Sequence, residues 1–159
     1  MRLWDLRSSV CQRSYDCHSP VNTVALSPNQ SDLISGDNSG TVKIWDLEAS
    51  TCRDDFTPSP EVAIRSLSVS YDASVIALGN SQGKVFVYNS EMESDKIQFV
   101  KEFQAHDDYI LKCVISPDMA SMATTSADKT VKLWNTVTWE LDKTLAQHQR
   151  WVWDAGLLP

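Results

Sequence analysis

Four aromatic residues recur along the chain at nearly equal intervals, and this interval constrains the fold more than any other feature. They are Trp4, Trp45, Tyr88 and Trp134, so the spacings are 41, 43 and 46 residues. The last three each close a short run in which apolar and polar residues alternate, which predicts a strand. A period of about 40–45 residues is typical of a four-stranded unit that buries its apolar faces only by stacking on neighbouring units.

Two further strand patterns precede each of the last three anchors. The first strands run through 24–26, 67–69 and 113–115, and the second through 33–35, 75–77 and 122–124. Prolines at Ser27-Pro28 and Ser116-Pro117 enforce turns after two of the first strands. Nothing in the sequence predicts a helix, so the fold class is all-β.

Polar residues also recur at fixed distances from the anchors. His106, Thr124 and Asp128 precede Trp134 by 28, 10 and 6 residues, and His18, Ser35 and Ser39 precede Trp45 by 27, 10 and 6. Around Tyr88 the equivalents are Pro60, Leu78 and Gln82, so the polar set is absent there. We expect apolar packing to replace it in that unit.

This combination of period and polar residues resembles the WD repeat of β-propellers. The resemblance implies a buried relay of hydrogen bonds among His106, Thr124, Asp128 and Trp134, and a shortened one among His18, Ser35 and Trp45. A buried polar group without its partner costs about 1–3 kcal/mol, so the residue types are constrained. The expected fold is a partial WD-repeat propeller with about three complete four-stranded blades and remnants of two more.

The expected organisation follows the anchors along residues 1–159. Residues 1–15 end one blade, 16–57 form a WD repeat, 58–103 a degenerate repeat, 104–146 a further repeat, and 147–159 the truncated start of the next. Closed propellers have four to eight blades. We expect such an arc to expose strand edges and apolar blade faces, and to be poorly soluble alone.

Composition restricts the partners. The formal net charge is −7 and the pI about 4.8, which argues against nucleic acid or an anionic membrane as the main target, since both attract clustered Lys and Arg. No apolar run approaches the roughly 18 residues of a membrane span, and no signal-peptide core follows Met1. We therefore expect a cytoplasmic protein without membrane insertion. The four cysteines form no CxxC pair, so we predict neither a metal site nor a disulfide.

Catalysis would have to use one of three histidines, and each already has a place in the repeat. His106, Thr124 and Asp128 could be mistaken for a base, a nucleophile and an orienting carboxylate, but the repeat predicts the same residue types at the same offsets. The sequence has no Gly-rich phosphate loop and no HExxH element. We expect no catalytic residues and no cofactor.

Function is therefore expected in exposed loops, where propellers bind proteins. Tyr109 lies three residues after His106, and Trp151 and Trp153 lie three and five residues after His148. Aromatic side chains with a polar edge are common interface hot spots. These three are the candidate partner-binding residues, with packing between blades as the alternative.

Several tracts together carry a narrower resemblance. They are Pro28-Asn29-Gln30, Gly36-Asp37, Pro60-Glu61-Val62, Asp72-Ala73-Ser74, Ala105-His106 with Tyr109, Ser126-Ala127-Asp128 and Arg150-Trp151-Val152-Trp153-Asp154. In this order they resemble the small WD-repeat subunit of target-of-rapamycin kinase complexes. The resemblance implies a non-catalytic scaffold that packs on the kinase domain and steadies its active site. It covers about residues 1–154, and the sequence after Asp154 departs from it.

Two alternatives remain. Trp4-Asp5-Leu6-Arg7 satisfies the short Trp-Asp-x-Arg box of substrate receptors of cullin ubiquitin ligases, which would make the chain a different WD-repeat adaptor. The expected absence of some blades raises the second alternative, a truncated product with no independent function.

Overall fold

The computed structural model describes residues 1–91 and 96–158, and every regular element within them is a β-strand. The all-β architecture predicted from the sequence is confirmed. Residues 92–95, in the predicted degenerate repeat, and Pro159, at the end of the predicted truncated repeat, lie outside the described residues. The predicted boundaries between repeats stay predictions, because a repeat and a sheet need not share their ends.

The strands form one hairpin and three four-stranded sheets. The N-terminal hairpin contains β1 (Arg2–Asp5) and β2 (Val10–Ser14). Blade 1 contains β3 (Val21–Leu26), β4 (Asp32–Asp37), β5 (Val42–Asp46) and β6 (Thr51–Phe56). Blade 2 contains β7 (Ile64–Val69), β8 (Val75–Asn80), β9 (Lys84–Glu91) and β10 (Lys96–Gln104). Blade 3 contains β11 (Ile110–Ile115), β12 (Ser121–Ser126), β13 (Val131–Asn135) and β14 (Leu141–Leu145).

Within each blade the four strands pair antiparallel in chain order. The first strand of every blade has an irregularity at the same place, where its pairing register with the second strand shifts. The shifts lie between Val21 and Thr23, between Ile64 and Ser66, and between Ile110 and Lys112. An extra residue of this kind increases the local twist of a strand. The blades therefore repeat a local distortion as well as a strand order.

The apolar core lies between blades. One cluster joins Ile34 and Ile44 of blade 1 to Ile64 and Leu67 of blade 2, and a second cluster joins blade 2 to Cys113, Ile115 and Met122 of blade 3. Each blade buries one face against the next, as a sheet with apolar side chains on both faces must. The inner strands also bond across the gap, because the backbone N–H of Cys113 donates to Ser66 Oγ over 2.9 Å.

An aromatic pair fastens each blade to the unit before it. In each pair the ring that comes first in the sequence lies at the end of an outer strand or just beyond it, and it contacts the anchor of the following blade. The pairs are Tyr15 with Trp45, Phe56 with Tyr88, and Phe103 with Trp134, with ring centroids 5.4, 4.7 and 4.6 Å apart. Such tilted and edge-to-face contacts are favourable aromatic geometries.

Two glycines allow the blades to approach closely. A Cβ atom on Gly79 in β8 would lie 2.5 Å from Ile110 Cγ2 and 2.8 Å from Cys113 Sγ, and Gly36 in β4 has the same relationship to Ile64. Both contacts are closer than real Cβ atoms tolerate. The second strands of blades 1 and 2 thus carry glycine where the first strand of the next blade presses against them.

Candidate functional site

The structure brings His106, Thr124, Asp128 and Trp134 of blade 3 together. The indole Nε1–H of Trp134 donates to Thr124 Oγ1 over 2.9 Å, and that oxygen lies 2.7 Å from His106 Nε2. On the other side of the imidazole ring, Nδ1 lies 2.8 Å from Asp128 Oδ2. The chain of contacts runs from the third strand through the second to the loop before the first.

This network fixes the tautomer of His106. A carboxylate only accepts hydrogen bonds, so Nδ1 carries the proton and Nε2 accepts one from the Thr124 hydroxyl. Burial lowers the pKa of His106 and outweighs the opposing hydrogen bond and charge of Asp128. Burial also acts to raise the pKa of Asp128, but hydrogen bonds from Thr130 and His106 outweigh it, so that pKa lies below its ordinary value. At neutral pH the pair is a neutral imidazole beside a carboxylate.

Thr130 is a member of the network that the offsets from Trp134 did not include. Its hydroxyl donates to Asp128 Oδ1 over 2.6 Å and its oxygen lies 3.1 Å from His106 Nδ1. The backbone N–H of Thr130 also donates to Asp128 Oδ1. The Asp-x-Thr sequence at 128–130 is the signal that could have identified Thr130. An aspartate in a turn often accepts hydrogen bonds from the residue two positions later.

Blade 1 keeps only part of this arrangement. The indole of Trp45 donates to Ser35 Oγ over 2.8 Å in the buried interior. His18, which we expected to complete the set, is instead exposed, and no residue that the structure describes is hydrogen-bonded to it. The expectation for His18 is therefore corrected. Ser39 stands where blade 3 has Asp128, so blade 1 has no carboxylate at the position that holds the imidazole in blade 3.

A second series of polar residues, missed in the sequence, organises the turn between the second and third strands. Asp37 Oδ1 accepts from the backbone N–H groups of Ser39 and Thr41, and Asn80 Oδ1 accepts from those of Gln82 and Lys84. All four donor–acceptor distances are 2.9 to 3.0 Å. Short polar side chains at the ends of β4 and β8 are the signal for this capping.

In its interior, blade 2 has apolar side chains at the positions where the other two blades have polar ones. Leu78 and Phe86 are fully buried, and with Ile76 they belong to the apolar cluster that joins blade 2 to blade 1. Gln82, at the position of Asp128, is exposed at the turn. Apolar contacts thus take the place of the network in this blade, as expected.

The buried network links strands and offers no open reaction site. His106 is 1% exposed and Thr124 is fully buried, so a substrate cannot reach the atoms that resemble a catalytic set. Two interblade cavities, of about 80 and 170 Å³, are far smaller than the roughly 300–1,000 Å³ of usual ligand pockets. Within residues 1–91 and 96–158, no group of three or more His, Cys, Asp or Glu side chains is placed to hold a metal ion.

The three aromatic candidates lie on the surface. Tyr109 is 42% exposed, and the guanidinium of Arg65 from blade 2 lies over its ring at 5.7 Å. Trp151 and Trp153 are 47% and 67% exposed and their ring centroids are 5.5 Å apart. Between them, the side chain of Val152 is buried. The two tryptophans thus flank an inward-pointing residue and contact each other.

Backbone hydrogen bonds place Tyr109 and Trp151 at the same end of blade 3. The N–H of Ala127 donates to the carbonyl of Tyr109 over 3.0 Å, and the N–H of Val152 donates to the carbonyl of Ser126 over 3.1 Å. Both segments are therefore bound to one turn, between β12 and β13. This end of the blade, which also carries the buried network, is the candidate interaction surface. No helix capable of crossing a membrane occurs in the described part of the chain.

Comparison with protein-family models identifies repeats in two places. The model described as "WD domain, G-beta repeat" matches residues 9–46 and 97–135. Among solved structures, the crystal structure of RRP9 WD40 repeats superposes with a TM-score of 0.77 at 18% identity, covering 86% of this chain and 41% of that one. The structure of U3-55K gives a TM-score of 0.76. These likenesses show the propeller fold alone.

Curated relatives have much higher sequence identity. The target of rapamycin complex subunit wat1 of Schizosaccharomyces pombe is 41% identical over 138 residues, which is 86% of this chain and 44% of that protein. The target of rapamycin complex subunit LST8 of Bos taurus is 41% identical over 88% of this chain and 44% of its own length. In Arabidopsis thaliana, the "non-functional target of rapamycin complex subunit LST8-2" is 43% identical over 97% of this chain and 50% of its own length.

The chain thus spans about half the length of the curated relatives it matches. The repeats, the four-stranded sheets and these similarities agree with one another. The chain contains WD repeats, and most of its length resembles the LST8-type subunits of target of rapamycin complexes.

Proposed function

We propose that this chain is a non-catalytic scaffold subunit in a target of rapamycin complex, and that it binds and stabilises the kinase domain in the cytoplasm. The observation that carries the proposal is 41% identity, over more than four-fifths of the chain, to proteins named as subunits of that complex. The buried state of His106 and Thr124 supports a structural role for the polar network.

The proposed contact surface is formed by Tyr109, Trp151 and Trp153. Large aromatic side chains that are half-exposed on a rigid scaffold can bury much area with little loss of conformational freedom. Tyr109 is held by Arg65, and the neighbour of both tryptophans, Val152, is buried in the blade. These contacts limit the conformational freedom that the surface would lose on binding a partner.

Co-precipitation of the kinase with the tagged chain from cell extract tests the proposal. Wild-type chain should retain the target of rapamycin kinase, and Trp151→Ala should reduce retention at least about tenfold, as loss of a hot spot of 1.4 kcal/mol or more would. Trp4→Ala is the matched control, because Trp4 is similarly exposed, at 51%, on the N-terminal hairpin. Equal retention of wild type and Trp151→Ala would remove this residue from the interface.

One observation favours a second candidate, a chain without activity of its own. The Arabidopsis relative that matches 97% of this chain has "non-functional" in its name. The same co-precipitation separates the two candidates. A folded wild-type chain that retains no kinase would favour the second.

A further inference from the structure

Five hydroxyl-bearing residues in this chain are followed directly by proline. They are Ser19, Ser27, Thr57, Ser59 and Ser116. A hydroxyl before proline is the sequence that proline-directed Ser/Thr protein kinases modify, but the sequence cannot rank the five. Their surroundings in the structure differ, and only Thr57 is exposed.

Two of the five are buried in turns. Ser27 and Ser116 are 5% and 4% exposed at the ends of β3 and β11. The Ser116 hydroxyl donates to Asp118 and accepts from the backbone N–H of Ser121. A kinase could reach these atoms only if the strand ends opened.

Two others are partly buried. Ser19 precedes the proline at the entry to blade 1. The carbonyl of Ser59 accepts a hydrogen bond from the N–H of Val62 over 3.3 Å. The same carbonyl packs so closely on Gly40 that a Cβ on this glycine would lie 2.3 Å from its oxygen. The segment around Ser59 is therefore packed against the turn of blade 1.

Thr57 differs from all four. It directly follows Phe56, the last paired residue of β6, and within the described part of the chain its backbone makes no hydrogen bond. Its hydroxyl contacts only the hydroxyl of Thr41, 3.3 Å away at the surface. Pro58 restricts Thr57 to extended backbone conformations, and an extended, unpaired segment is what a kinase active site accepts.

We propose that Thr57 is a phosphorylation site for a proline-directed Ser/Thr protein kinase, with ATP as the phosphoryl donor. Thr57 Oγ1 forms a bond to the γ-phosphorus, and the bond from that phosphorus to the bridging oxygen of ADP breaks. The hydroxyl proton passes to the catalytic aspartate of the kinase. This inference is independent of the proposed role in a target of rapamycin complex.

The modification is compatible with the fold. It replaces one exposed hydroxyl contact, and the Thr41 hydroxyl becomes available to donate a charge-assisted hydrogen bond to the phosphate. Asp54 and Asp55 on β6 would repel the phosphate, but both are exposed, so solvent and salt screen this repulsion. Blade 2 carries Pro60 and Leu78 in place of a relay histidine and threonine, so the phosphate lies beside a loop whose fold does not depend on a buried polar network.

The test treats the folded 159-residue chain with a purified proline-directed kinase and ATP, and locates phosphate by mass spectrometry. Five synthetic peptides, each centred on one hydroxyl-proline pair, are treated in parallel. Circular dichroism confirms that the chain used is folded, and Thr57→Ala is the matched variant.

We expect the folded chain to carry phosphate on Thr57 at least about tenfold more than on Ser27 or Ser116, although the peptides of all three are modified. Thr57→Ala should lose most incorporation. Modification of the Thr57 peptide without modification of Thr57 in the folded chain would overturn the proposal. So would equal modification of Thr57, Ser27 and Ser116 in the folded chain, or a Thr57 peptide that is not a substrate.

Discussion

His106 Nδ1 lies 2.8 Å from Asp128 Oδ2 inside blade 3, whereas the corresponding His18 of blade 1 is exposed. The two blades share a strand order and a Trp-to-hydroxyl hydrogen bond, but blade 1 has Ser39 where blade 3 has Asp128. A buried imidazole needs a hydrogen-bond partner at each nitrogen. The side chain of Ser39 is shorter than that of an aspartate and carries no charge. In blade 3 the carboxylate thus binds the loop before the first strand to the turn between the second and third strands.

Removing that carboxylate should destabilise the chain. We expect Asp128→Ala to lower the free energy of unfolding by about 1–3 kcal/mol, because the Nδ1–H of His106 then loses its buried acceptor. Urea denaturation followed by tryptophan fluorescence measures the change. Asp107→Ala, at an exposed position next to His106, is the control and should change the free energy by less than about 0.5 kcal/mol. Equal stability of Asp128→Ala and wild type would contradict the structural role.

Acidification should weaken the fold through the same pair. The folded pKa of His106 lies below its ordinary 6.5, so the unfolded chain binds more protons as the pH falls through that value. The free energy of unfolding should fall between pH 7.5 and pH 5.5, by at most about 1.4 kcal/mol per pH unit from this group. The pKa of Asp128 is lowered in the folded chain, so a further loss begins as the pH falls to its ordinary 3.8 and is complete below the lower folded pKa.

The pH dependence has a direct control. In His106→Gln the imidazole no longer titrates, so the loss of stability between pH 7.5 and pH 5.5 should be smaller than in wild type. Urea midpoints at four pH values are sufficient for the comparison. An unchanged slope in this variant would assign the pH dependence to other groups.

Close contact between blades 2 and 3 gives a third prediction. Gly79→Ala should cost about 1–3 kcal/mol, since the new methyl group would overlap Ile110 and Cys113 and the strands would have to separate. Gly156→Ala is the matched control, because nothing lies within 4 Å of its added Cβ. Thermal unfolding of both variants measures the difference. If the two substitutions had equal effects, the close approach at Gly79 would be disproved.

The cysteines should differ in reactivity. Burial raises the pKa of the Cys113 thiol to about 12, and its side chain is 1% exposed. Burial also raises the pKa of the Cys52 thiol, but this side chain is exposed on β6 and a reagent can reach it. A maleimide reagent at pH 7.5 should therefore label Cys52 in the folded chain within minutes and Cys113 only after unfolding, because the thiolate is the reactive form. Peptide mapping identifies the labelled sites. Rapid labelling of Cys113 under native conditions would show that the interface between blades 2 and 3 opens.

The sequence predicted elements that follow from local periodicity, and it missed contacts that cross between blades. Alternating strands and the spacing of Trp45 and Trp134 were sufficient for the four-stranded units. The position of His18 was not predictable from its offset, because an offset does not show whether buried hydrogen-bond partners are present for both ring nitrogens. The aromatic pair of Phe103 and Trp134 joins residues 31 positions apart in different blades, and no local pattern marks such a contact.

In each aromatic pair between units, the ring contributed by the earlier unit precedes its partner in the chain. Phe56, for example, is added to the chain before Tyr88, and Phe103 before Trp134. A polypeptide synthesised from its N-terminus therefore contains the first ring of each pair before the second is added. This order gives the stack of units a direction, since each blade is joined by an aromatic ring to the unit that precedes it in the chain.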